Sequence, residues 1–151
     1  MKVGIGADHR GYKTKSRIAK YLHTLGHTVV DYGTASEVSV DYPDIAIKVA
    51  EDVAKKRTRF GILLCYSGQG MVMTANKVHG VRAAFCINDE YARYARAHNN
   101  ANVLVMPAGF IKFGKTMRGI IDTFLNTQFE GGRHLRRVRK IGDYEGSAHR
   151  F

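Results

Sequence analysis

The sequence predicts an α/β fold in three layers, with a five-stranded parallel sheet between helices on its two faces. Five short apolar runs alternate with segments of helical periodicity, and such βα units in series build a parallel sheet. The run FGILLC, residues 60–65, is almost entirely apolar, which is typical of a strand buried on both faces. A chain of 151 residues fits one domain, and its 44% of hydrophobic residues can form a sizeable core, so we expect a single domain over residues 1–151.

Each element is predicted from its local pattern. The predicted strands span residues 3–5, 28–31, 60–65, 81–86 and 101–106. The predicted helices span residues 12–25, 71–78, 89–97 and 113–125, with another that begins at residue 43 and a separate basic helix at 133–140. Ile18 and Leu22 recur at helical spacing before Gly26, which ends the first helix. Pro43 suits the first turn of its helix, where a backbone N–H has no intrahelical partner.

The chain is strongly basic, and its charge is concentrated late. The formal net charge is +11, and Lys or Arg fill five of the eight positions in RHLRRVRK, residues 133–140. Such a surface attracts phosphorylated metabolites, nucleic acid or acidic lipid. The basic stretch lacks the aromatic side chains on which RNA bases stack, so we expect no nucleic-acid partner. No apolar run approaches the roughly 18 residues of a membrane span, so we expect no membrane partner.

Two segments imitate nucleotide-binding loops. GIGADHRG places His9 where the dinucleotide fingerprint needs its third glycine. GFIKFGKT matches the P-loop pattern, but Phe110 and Phe113 are bulky for a loop that must wrap phosphates, and no later strand supplies an acidic magnesium partner. We therefore predict no cofactor. The seven histidines are dispersed, without tight ligand spacing beside Cys or Asp, so we also predict no metal.

Cys65 ends the third apolar run, and the glycine-punctuated turn SGQG follows it directly. A thiol in this position can be a core residue, a metal ligand, a nucleophile or a base. Free amides at the start of the next helix would form an anion site, and the same field would stabilise a thiolate. We interpret Cys65 as functional and Cys86, which has no such loop, as a buried small hydrophobic residue. Two thiols without a signal-peptide pattern indicate a reducing cytoplasm.

Further polar residues flank the strand ends. Asp8 and His9 follow the first strand, Asp41 precedes a helix, and HNNAN, residues 98–102, precedes the fifth strand. Ligands of open α/β sheets bind beyond the carboxyl ends of the strands. We expect all these residues to converge with Cys65 on that one edge.

The combined pattern resembles the ribose-5-phosphate isomerase B family, which includes galactose-6-phosphate isomerase subunits. The matching segments occur in order over residues 4–141, and they are GADHRGY, SVDYPD, GILLCYSGQGM, TANK, GVRAA, HNNANVL and GGRHLRRVRKI. The resemblance implies a Rossmann-like three-layer α/β/α fold with a C-terminal basic helix. It also implies a homodimer or tetramer with active sites shared between subunits, and a metal-free reaction through an enediolate.

The resemblance assigns roles to individual residues. Cys65 is implied to move the proton between C1 and C2, Ser67 to assist at the reacting oxygens, and His98, with Asp8 nearby, to open the sugar ring. The residues implied to bind the substrate or its phosphate are His9, Tyr42, Gly68, Gly70, Met71, Asn99, Arg133 and Arg137. The partner subunit is expected to supply the two arginines. Tyr66 departs from the family, which usually has glycine after the cysteine.

The sequence therefore predicts an enzyme that interconverts ribose 5-phosphate and ribulose 5-phosphate. Two alternatives stay open. One is the same chemistry on another phosphorylated sugar, such as allose 6-phosphate, galactose 6-phosphate or a tetrulose phosphate. The other is a noncatalytic module that binds phosphate or nucleic acid.

Overall fold

The computed structural model describes residues 1–147. Within that range the chain forms five strands and six helices in alternation, ending in two consecutive helices. The strands are β1 (Lys2–Ala7), β2 (Thr28–Asp31), β3 (Phe60–Cys65), β4 (Ala83–Phe85) and β5 (Val103–Pro107). The helices are α1 (Tyr12–Thr24), α2 (Tyr42–Ala54), α3 (Gln69–Ala75), α4 (Asp89–Ala97), α5 (Lys115–Asn126) and α6 (Gly132–Ser147).

The five strands form one parallel sheet in the order β2-β1-β3-β5-β4. The predicted α/β class and the five-stranded parallel sheet are thus confirmed. β3 occupies the centre, where Gly61 pairs with Val103 at one end and Cys65 with Pro107 at the other. All six residues of β3 are buried, which explains its unbroken apolar sequence.

Helices cover both faces of the sheet. On one face Ile18 and Leu22 of α1 join Ile120 and Phe124 of α5 in a cluster with the side chains of β1 and β3. On the other face Val49 of α2 packs with side chains of α3 and β5. None of the six helices within residues 1–147 combines the length and the apolar composition needed to cross a membrane.

The predicted boundaries that differ from the structure include those of α3, β4 and α5. α3 begins at Gln69 and ends at Ala75, earlier at both ends than predicted, because Gly68 adopts a left-handed conformation (φ 79°) and starts the helix. β4 keeps only three residues. Before it, the Asn76 side chain bonds both the N–H (2.8 Å) and the C=O (2.9 Å) of Ala83. Phe113 was predicted to begin the fifth helix, but α5 begins at Lys115. Phe113 lies before the helix and packs against the core and the Tyr21 ring.

Candidate active site

Cys65 is the last residue of β3 and is 5% exposed. The backbone N–H of Gly68 donates a hydrogen bond to its Sγ at 3.1 Å. The turn thus directs a backbone amide at the sulfur. Ser67 stands between them, partly exposed, and its Oγ accepts from the N–H of Gln69 at 3.4 Å. The turn therefore brings the thiol, a hydroxyl and backbone amides together at the carboxyl edge of the sheet.

Two glycines of this turn are required by their surroundings. Besides its positive φ, Gly68 leaves no room for a Cβ, which would lie 2.7 Å from the Phe85 ring. At Gly70 a Cβ would lie 2.4 Å from Cζ of Tyr42. The Tyr42 ring therefore lies directly on the backbone of Gly70 and forms one wall beside the turn. Met71 is fully buried and anchors the start of α3.

Asp8 and His9 lie at the same edge, after β1. Asp8 is 7% exposed, and its Oδ1 accepts from the backbone N–H of Arg10 (2.9 Å) and of Gly11 (3.1 Å). The N–H of Val40 donates to Nδ1 of His9 at 3.3 Å. Because Nδ1 accepts, Nε2 of a neutral His9 carries the proton and can donate to an anion.

Tyr66 also lies at the carboxyl edge. Its ring covers Gly109, where a Cβ would lie 2.4 Å away, and its centroid is 5.4 Å from that of Phe110. The Arg10 guanidinium lies 4.7 Å above the ring. Tyr66 is not among the residues with positive φ, so the tyrosine fits its backbone without strain. Arg10 was not singled out by the sequence, although it directly follows the Asp8–His9 pair.

His98 lies at the opposite edge, and the expectation that the HNNAN segment converges with Cys65 within one chain is wrong. The N–H of Gly61, at the start of β3, donates to the carbonyl of Asn102 at 3.0 Å. From Gly61 to Cys65 the strand advances about 13 Å, at about 3.3 Å per residue. In a parallel sheet a residue that precedes a strand lies at the amino edge. His98 and Asn99 therefore cannot reach the thiol or Asp8 of their own chain.

The amino edge carries its own cluster, composed of His98, Glu130 and His134. The imidazoles of His98 and His134 stack at 4.1 Å between centroids, with 7° between their planes. Oε2 of Glu130 lies 3.6 Å from Nε2 of His98 and 3.7 Å from Nε2 of His134. The burial of His134 lowers its pKa, with smaller contributions from nearby positive charges. The structure thus places a carboxylate beside both rings, and the sequence analysis had identified only His98.

The three side chains of this cluster could also hold a metal ion, since their ligand atoms all lie within 4.8 Å of one another. His98 and His134 are dispersed in the sequence, as predicted, but folding brings them together because α6 lies against the end of α4. The two imidazole planes are stacked and nearly parallel, so a metal ion in the plane of one ring would lie outside the plane of the other, and ligation would require a rotation of at least one imidazole.

The remaining predicted residues lie near this second cluster. Asn99 is exposed, and its Nδ2 donates to the Tyr94 carbonyl at 3.4 Å. Arg133 and Arg137 are exposed on α6, on either side of the buried His134 in the sequence. Their spacing of four places both guanidinium groups on one face of the helix. The structure therefore holds two separate groups of predicted residues, one at each edge of the sheet.

The chain is similar to known proteins over most of its length. Residues 3–141 match the family model described as Ribose/Galactose Isomerase. The chain belongs to this family. The isomerase is 39% identical over 140 residues to Ribose-5-phosphate isomerase B of Escherichia coli, with 93% of each chain covered.

Solved structures share the fold of the isomerase. The Ribose-5-Phosphate Isomerase B of Clostridium thermocellum superposes with a TM-score of 0.95 at 45% identity, and the match covers 98% of this chain and 99% of that one. A Mycoplasma genitalium ribose-5-phosphate isomerase B with bound ribulose-5-phosphate has a TM-score of 0.91 at 42% identity, with 96% of each chain covered. The family resemblance and the three-layer α/β fold are therefore confirmed.

Proposed function

We propose that this isomerase interconverts ribose 5-phosphate and ribulose 5-phosphate through an enediolate, with Cys65 as the general base. The observation that carries the proposal is the thiol at the end of β3, 5% exposed and bonded by the Gly68 N–H at 3.1 Å. A proton on carbon beside a carbonyl is removed best by a base that is matched to neutral pH. The relatives named ribose-5-phosphate isomerase B, one of them with ribulose-5-phosphate bound, support this choice of substrate.

After the sugar ring has opened, the reaction moves one proton from C2 to C1 and another from the C2 oxygen to the C1 oxygen. The Cys65 thiolate takes the proton from C2 of the open aldose, and the electron pair of the broken C–H bond forms the enediolate. The thiol then returns a proton to C1 while the hydroxyl proton of the C2 oxygen passes to the C1 oxygen, which gives the ketose. Developing charge on the oxygens faces the backbone amides from Gly68 to Met71 and the hydroxyl of Ser67, where preorganised donors stabilise it.

Cys65 and His98 lie at opposite edges of the sheet in one chain, which supports an active site shared by two chains. Cys65 and His9 of one chain would meet His98, Arg133 and Arg137 of a partner, so that a symmetric dimer holds two complete sites. His98 of the partner would open the ring, with Asp8 of the first chain beside it. His9 and the two arginines would bind the phosphate, whose binding energy orients the distant reacting carbons.

Two further properties belong to the same proposal. Cys65 and Cys86 are both free and buried, which fits the reducing cytoplasm. In this proposal, protein groups alone act as the base, stabilise the enediolate and bind the phosphate, so the reaction uses no metal or cofactor. We further propose that the chain is a single isomerase domain; residues 148–151 of that predicted domain lie outside the described range.

An isomerisation assay over a panel of phosphorylated tetroses, pentoses and hexoses, with and without chelator, tests this function. We expect the highest kcat/KM with ribose 5-phosphate and no change with chelator. A preference for a hexose or tetrose phosphate would retain the chemistry and replace the substrate. Loss of activity with chelator would contradict the metal-free step, and inactivity on every sugar would favour a binding module.

A further inference from the structure

A basic cavity lies at the amino edge of the sheet, away from Cys65. It has a volume of about 710 Å³, which is within the range of small-molecule sites. Among the described residues, no Asp or Glu lines the cavity. The cations that line it are Lys2, Lys56, Arg57, Arg59, Arg82 and Arg96.

Two lining side chains are buried with unpaired polar atoms. Arg96 is 5% exposed, and its guanidinium packs 4.7 Å from the Phe60 ring centroid. Its Nη1 donates to Asn100 Oδ1 at 2.9 Å and to the Ala101 carbonyl at 2.6 Å, but its Nε has no hydrogen-bond partner within residues 1–147. Thr58 is 2% exposed, and its Oγ1 is likewise unpaired in the described chain. Buried polar groups normally have partners, so these two residues retain hydrogen-bonding capacity beside the cavity.

The charges of the cavity are only partly compensated. Arg57 pairs with Asp52, and Glu145 interacts with Arg82. Within residues 1–147, the Arg82 guanidinium donates hydrogen bonds only to the neutral carbonyls of residues 99 and 100, at 2.9–3.1 Å. Burial lowers the pKa of Arg96, and repulsion from Arg59 and Arg82 lowers it further. Like charges held together in a partly buried site are relieved by a bound anion.

We propose that this cavity binds a small phosphate-bearing anion at a site distinct from the isomerase site. Arginine suits phosphate because its planar fork donates two bonds to neighbouring oxygens. The proposed substrate-phosphate ligands His9, Arg133 and Arg137 do not line the cavity. Its volume leaves room for more than one phosphoryl group, so the ligand class extends from free phosphate to the phosphoryl end of a nucleotide.

The test is isothermal titration with orthophosphate, pyrophosphate and ADP as probes. All titrations use the Arg133→Ala/Arg137→Ala variant, in which the proposed substrate-phosphate grip is removed. The cavity variant adds Lys56→Gln/Arg59→Gln, two exposed side chains of the lining. The matched control, Arg17→Gln/Lys20→Gln, removes the same charge from α1, where both side chains are exposed.

We expect at least one probe to bind with one site per chain. The cavity variant should weaken this binding by about tenfold for each lost charged contact, while the α1 control should leave it unchanged. Tighter binding of orthophosphate than of ADP would identify free phosphate as the ligand, and the reverse would identify a nucleotide. Absence of binding by all three probes would overturn the proposal, as would equal weakening in the cavity and α1 variants. Since no turnover is measured, failure here leaves the proposed isomerase reaction intact.

Discussion

Replacing Cys65 with serine tests the proposed base with little change of shape. The serine hydroxyl can occupy the place of Sγ, where it can accept the Gly68 N–H that now donates at 3.1 Å. A hydroxyl is a far weaker acid than a thiol, so it supplies almost no anion near neutral pH. The site is 5% exposed, so bulk water has little access to replace the base. Proton abstraction should fall at least about 100-fold, equivalent to roughly 2.7 kcal/mol of barrier.

The assay follows turnover of ribose 5-phosphate together with solvent-deuterium exchange into the substrate. Substrate affinity, measured separately, should stay close to wild type because the phosphate contacts are unchanged. Cys86→Ser is the matched control, since that thiol is fully buried and burial raises its pKa to about 12, which leaves it protonated at neutral pH. The control should retain near wild-type turnover. Wild-type exchange and turnover in Cys65→Ser would refute the role of the thiol as the base.

Three further predictions concern binding, selectivity and packing. Changing Arg133 or Arg137 to Ala should weaken substrate binding by roughly 2 kcal/mol, seen as a raised KM; an unchanged KM in both variants would remove them from the phosphate grip. Tyr66→Gly should reorder the substrates in the sugar-phosphate panel, and an unchanged order with altered stability alone would make the ring a packing residue. Gly70→Ala should lower stability by about 1–3 kcal/mol because its Cβ would meet a tyrosine ring at 2.4 Å. Gly119→Ala is the control, because a Cβ there meets open space on α5, and it should raise the melting temperature. If both alanine variants shift the melting temperature alike, the close contact between Gly70 and Tyr42 does not restrict the residue at position 70.

Much of the fold could be predicted because local patterns and tertiary burial agree. The central strand is apolar at every position, and the α1 stripe of Ile18 and Leu22 faces the sheet as its spacing indicates. The boundary of α3 was missed because Gly68 starts the helix through a left-handed conformation that its sequence context does not reveal. The first residue of β4, Ala83, is bonded by the Asn76 side chain, a contact across the turn that periodicity cannot show.

Cys65, Ser67, Asp8 and His9 lie at the carboxyl edge as predicted, their roles stay predictions, and the predicted placement of His98 was wrong. The chain order already carried the needed signal, since a segment before a parallel strand lies at the opposite edge from a residue at a strand's end. Glu130 and His134 are four apart, at helical spacing, but their contact with His98 depends on how α6 packs against α4. No local pattern encodes that packing, so the histidine pair emerged only from the structure.

Mixing two inactive variants tests the shared site most directly. In a mixed dimer, one chain carries Cys65→Ser and the other carries His98→Asn. One of its two sites would then combine the intact Cys65 of the second chain with the intact His98 of the first. Subunits exchanged at equal amounts should recover about one quarter of wild-type turnover, since half of the dimers are mixed and each holds one intact site. Recovery near that level, with each parent variant inactive alone, is the result we predict. No recovery after verified subunit exchange would contradict a site built from opposite edges of two chains.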